Sequence, residues 1–176
     1  TAMFLMPLSG AAAAQTAAPE KVCVALQQPK PEETKLTFPG RPEGVNVISP
    51  CWFTITDEQG NIGSLAEADK EYVKAAKATG MKIWPLVTNG FEAERTTKLL
   101  QNPAGRQRAA QELVRLVREY QLDGINLDFE NIAAADRDGL TSFVRELSEE
   151  LHKVSATVSI DVTVPSDGLL AEYWSR

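Results

Sequence analysis

Residues 122–131 read LDGINLDFEN, and the strict alternation of this run constrains the fold more than any other feature of the chain. Successive side chains of an extended strand point to opposite faces. Ile125, Leu127 and Phe129 therefore share one face, and Asn126, Asp128 and Glu130 share the other. A strand inside a parallel sheet is normally apolar on both faces. Burying amides and carboxyl groups without partners costs roughly 2–7 kcal/mol each, so one face of this strand is given over to something other than packing.

The run lies between two amphipathic segments. Asn102-Pro103 reads as an N-cap followed by proline at the first helical position, and Ala110, Leu113, Leu116, Val117 and Tyr120 follow at helical spacing. Leu140, Phe143, Val144, Leu147, Leu151 and Val154 mark one side of a second helix predicted over 138–153. Other strands are predicted over 22–28, 45–53, 82–89 and 157–165, with Pro85 implying a bulge in the third of the chain's five. A Pro- and charge-rich connector occupies 29–44, and 57–61 reads as a turn. Ser64-Leu65-Ala66-Glu67 has the capping-box pattern and predicts a helix from there through Ala78, with Gly80 as its C-terminal glycine.

Strands separated by helices imply parallel βα units, either an open doubly wound sheet or a closed barrel. No Gly-rich phosphate loop follows the first strand, so the nucleotide-binding form of the open sheet loses support. A complete barrel needs about 250 residues, and 176 residues supply about five strands. The first 18 residues are small, apolar and uncharged, and are expected to be a signal-peptide remnant or a linker. Residues 19–176 form the predicted domain.

Composition narrows the chemistry. One histidine and two cysteines are too few, within this chain, for a His-rich metal site, a Cys-rich zinc site or a disulfide-built scaffold. A net charge of −6 disfavours nucleic acid as a partner, and no apolar stretch is long enough to span a membrane. Catalysis, if present, runs mainly on carboxylates. Glu130 is furthest along its strand, at the C-terminal end where parallel α/β folds place their sites. The neighbouring charge of Asp128 is expected to raise its pKa, as a general acid requires. Asn126, Asp128 and Glu130 are also hard oxygen ligands of the kind Mg²⁺ or Ca²⁺ takes, and a buried polar ladder is the structural alternative.

The run LDGINLDFE resembles the D-G-x-D-x-D-x-E active-site signature of family 18 glycoside hydrolases, departing from it at Asn126. The phrases SPCWF (49–53), LVTN (86–89), DFEN (128–131) and DVTVPS (161–166) are similar to the bacterial cell-envelope and spore peptidoglycan branch of that family. The resemblance covers residues 21–176. It implies an α/β fold, a (β/α)8 TIM barrel of which about the first five βα units are present. It implies cleavage of β-linked N-acetylglucosamine polymers, peptidoglycan or chitin, by substrate-assisted retaining catalysis, the exception among two-carboxylate glycosidases. Glu130 would be the acid and base, Asp128 would orient the acetamide, and Asn126 and Asp123 would support Asp128. A glycan is the implied partner, no cofactor or metal is implied, and a secreted or envelope location follows. The family's M-x-Y-D motif on the sixth strand is not found in these residues, so the chain by itself is expected to be an incomplete, inactive catalytic domain. A non-catalytic carbohydrate-binding protein on the same barrel is the alternative, against which the presence of Glu130 argues. Nothing in the sequence specifies an oligomeric state.

Further residues fall at the expected site face. Trp52 either stacks on a sugar ring or packs in the core, and Asn89 either binds a sugar hydroxyl or makes an Asn-Gly turn. Asp161 and Thr163 share a face of the fifth strand with Ser159, a second polar row expected to line the same cavity and bind substrate. Cys23 and Cys51 lie on strands expected to be neighbours, with free thiols as the default.

Overall fold

A computed structural model describes residues 21–162. The 1–18 segment and Thr163 lie outside the described residues. Strand β1 (Val24–Gln27) pairs in parallel with β2 (Val47–Ile55), which turns through 57–61 into a short antiparallel β3 (Ile62–Ser64). Helix α1 (Lys70–Ala78) leads to β4 (Lys82–Ile83) and β5 (Leu86–Thr88), both parallel to β2. Helices α2 (Ala93–Gln101) and α3 (Pro103–Tyr120) precede β6 (Gly124–Asp128), and α4 (Arg137–His152) precedes β7 (Thr157–Ile160). The sheet order β1-β2-β5-β6-β7 follows chain order without reversal. That order matches the wall of a barrel rather than a doubly wound sheet, whose strand order reverses at a switch point.

Each predicted parallel strand is present, though the third is divided. Proline lacks an N–H to donate; the chain breaks pairing at Trp84-Pro85, and β2 shifts register between Cys51 and Phe53 to compensate. The predicted start of α1 is wrong. Ser64 belongs to β3, and the helix begins five residues later, where the Asp69 carboxylate accepts from the Glu71 N–H at 3.0 Å. The backbone N–H of Glu67 is meanwhile committed to Thr34 O. Asn102 does precede Pro103 at the start of α3, but its side chain donates to Glu58 O instead of capping the helix. That bond ties the β2–β3 turn to α3. Gly60 in the same turn has φ +85°, and a Cβ there would lie 2.1 Å from Gly105 O, so no other residue fits.

The helices cover one face of the sheet. Ile125, Leu127 and Phe129 enter a single core with Leu113 and Val117 of α3 and Phe143, Leu147 and Leu151 of α4. Phe129 stacks on Phe143 with ring centroids 5.8 Å apart. Burial of each such large side chain stabilises by roughly 1.5–3 kcal/mol. Arg106 of α3, only 11% exposed, pairs with Glu146 of α4 at 2.9 Å and donates to Leu100 O, locking three helices together. Packing on one face leaves the other free to carry polar groups.

Candidate active site

The inner face of β6 is built as a ladder. Asn126 is 1% exposed and fully engaged: Ser159 Oγ donates to its Oδ1 at 2.7 Å, and its Nδ2 donates to Asp161 Oδ2 at 3.0 Å and towards Ser49 Oγ at 3.4 Å. The cost of burying this amide is thereby offset by partners on β2 and β7. Below it, Gly124 leaves room for the Trp84 indole, whose Cδ1 would be 2.7 Å from a Cβ at that position. Above it, Asp128 is half-buried and Glu130 is exposed just beyond the strand end. The row thus runs from a closed base to an open, acidic C-terminal mouth.

Burial, then the charges of Glu130 and Asp161, push the Asp128 carboxyl above the usual aspartate range. Cys51 shares this face: burial, then the charge of Asp128, pushes its thiol up. Cys51 is a free, buried thiol and Cys23 a free, exposed one.

Glu130 is held through its backbone. Asn89, 1% exposed, accepts from the Glu130 N–H at 3.2 Å and donates to the Glu130 carbonyl at 2.7 Å. The same amide donates to Thr96 Oγ1 at 2.9 Å and accepts from the Phe91 N–H at 3.2 Å. Asn89 is therefore a clamp with all its capacity used inside the protein, and the sugar-hydroxyl expectation is corrected accordingly. Phe91 and Asn131 both adopt positive φ, 62° and 59°, and Asn131 Nδ2 donates to Phe91 O at 3.3 Å. Such conformations cost about 1–3 kcal/mol each and cluster at functional sites. Phe91 is 60% exposed, and sequence reasoning missed it; the signal available was the Asn-Gly-Phe step directly after a strand.

Two other expectations are corrected. Trp52 is fully buried, edge-on to Tyr72 and Phe53, so its ring is core and offers no face to a ligand. Bulged β2 turns it towards the helices. Asp123 stands at the opposite end of β6 from Glu130; it accepts from the Ile83 N–H at 2.9 Å and pairs with Lys77 at 3.1 Å, far from any contact with Asp128. Asp123 thus fastens α1 and β4 to the base of the sheet. Asp161 does reach the Asn126 row.

A chain-ordered parallel wall with helices outside and two carboxylates at its C-terminal end is the wall of a (β/α) barrel with its site face at that end. The chain belongs to the glycosyl hydrolases family 18, whose model matches residues 41–173. It is 23% identical over 137 residues to the uncharacterized glycosylase YvbX of Bacillus subtilis, across 74% of this chain and 39% of that protein. In fold it is similar to a chitinase from Bacteroides thetaiotaomicron, with a TM-score of 0.70, 18% identity, and coverage of 81% of this chain and 46% of that one. It is likewise similar to the Bacillus cereus spore cortex-lytic enzyme SleL, with a TM-score of 0.62, 19% identity, and coverage of 78% and 34%. The chain spans less than half the length of each of these proteins. No helix among the described residues is long and apolar enough to cross a membrane.

Proposed function

We propose that this chain carries the acid-bearing part of a glycosidase that cleaves β-linked N-acetylglucosamine polymers, peptidoglycan or chitin, outside the cytoplasm or in the cell envelope. The observation that carries the reading is the placement of Glu130: solvent-facing at the strand's C-terminal mouth, two residues from Asp128, with its backbone clamped by Asn89. Family membership supports a substrate-assisted route. The sugar's 2-acetamido oxygen attacks its own anomeric carbon as the glycosidic bond breaks, and Glu130 gives its proton to the departing oxygen. Asp128 accepts the acetamide N–H, holds it in line and stabilises the oxazolinium charge. Glu130, now a carboxylate, takes a proton from water as that water attacks the anomeric carbon; the oxazoline opens and configuration is retained. Asp161 lies close enough to the same row to meet the sugar.

In the full-length protein, Glu130→Gln is expected to lower turnover of N-acetylglucosamine oligomers and of purified peptidoglycan by about 10²–10⁴-fold, the ordinary contribution of a general acid. Glycan affinity is expected to persist. Undiminished product release, followed by chromatography, refutes the assignment.

A further inference from the structure

We propose that Asp161 is a positioning residue for Asp128, a carboxylate held on the neighbouring strand by Asn126 so that β6 and β7 together form one acid pair. The sheet register pairs Leu127 with Ile160, so the next level sets Asp128 beside Asp161. The backbone confirms that alignment, because the Asp161 N–H donates to Leu127 O at 2.8 Å. Side chains at the same level of adjacent strands point to the same face.

The orientation of Asn126 fixes where the Asp161 carboxylate sits. Ser159 Oγ donates to the amide oxygen, which turns the NH₂ group towards Asp161 Oδ2 at 3.0 Å. Asp128 receives no such bond among the described residues. The groups facing it are Glu130 on its own chain segment, Asp161 beyond β7 and the Cys51 thiol of β2, and no lysine or arginine pairs with either aspartate there. Two neighbouring carboxyl groups without a cation do not both ionise readily. Asp128, half-buried and without a cation, is accordingly displaced upward by burial and by the charges of Glu130 and Asp161.

This assignment changes how position 126 is understood. An aspartate there would add a further charge to the row; an asparagine instead supplies the hydrogen bond that recruits a carboxylate from the next strand. Asn126 and Asp161 thus act together, and neither is interpretable from its own strand alone. Asp161 acts through Asp128, and its effect is on the protonation state in which Asp128 meets the acetamide.

The inference rests on Asp128 being the acetamide-orienting group, but its test needs no substrate. Carbon-detected NMR titration of the side-chain carboxyl groups in the 176-residue chain reads Asp128 directly. Asp161→Asn and Asp161→Ala are each expected to shift the Asp128 midpoint downward, while Asp161→Glu keeps it high and the amide spectrum away from the mouth is unchanged. A midpoint that does not move in either neutral variant overturns the pairing. That result would leave the Glu130→Gln experiment untouched, whereas full turnover by Glu130→Gln would remove the proposed function and not the pair.

Discussion

At the scale of single residues, placement is governed by whether a polar group finds internal partners. Asn89 and Asn126 are almost equally buried, and each has satisfied its amide from a neighbouring element. Their tasks differ because Asn126 serves side chains, whereas Asn89 serves the backbone of Glu130. Removing the Asn89 amide leaves the Glu130 N–H and carbonyl without that partner, at a cost of about 1–3 kcal/mol. Asn89→Ala is therefore expected to lower the denaturant midpoint by that amount, and in the full-length protein to reduce kcat more than KM. Such a split follows from a displaced acid and not from a lost sugar contact. Trp52 and Asp123 carry the opposite lesson. Both are residue types associated with glycan sites, yet one is core and the other is an ion-paired staple.

At the scale of elements, local signals competed and tertiary pairing chose between them. Ser64 and Glu67 have capping-box spacing, but β3 pairing takes Ser64, through Phe53, and Thr34 takes the Glu67 N–H. The helix accordingly starts at the next good cap, Asp69, which also pairs with Lys35 at 3.0 Å. Asp69→Ala is expected to cost about 1 kcal/mol, and Ser64→Ala to stay within about 0.5 kcal/mol, as measured by thermal unfolding. Helix α2 was not legible. It is short, its buried residues are only Thr96, Leu99 and Leu100, and so it lacks a repeating apolar stripe. It is held instead by Thr96 against Asn89 and by Thr97 and Gln101 against the buried Asp136. The long helices α3 and α4 were legible because their stripes persist for several turns.

At the scale of the whole molecule, the described sheet is open. Leu26 of β1 stands level with Ser49 on the inner side and is 53% exposed, and Val24, level with Val47, is 38% exposed. Apolar groups on an inner wall are covered when a barrel closes, and unpaired strand edges invite association. The 176-residue chain alone is expected to hydrolyse N-acetylglucosamine oligomers negligibly beside the full-length protein, as judged by reducing-end release. Comparable rates from both would show that the open wall suffices for catalysis.

The alternation at 124–130, the helical stripes and the turn residues settle the α/β class, the five parallel positions and the two-residue spacing of Asp128 and Glu130, because periodicity is a property of the chain itself. The tertiary structure decided what faces what. It made Asn89 a clamp, sent Trp52 into the core, set Asp123 at the base and brought Asp161 to Asn126. Those outcomes depend on register between strands and on which groups are left to satisfy a buried amide, and both arise only when distant segments meet.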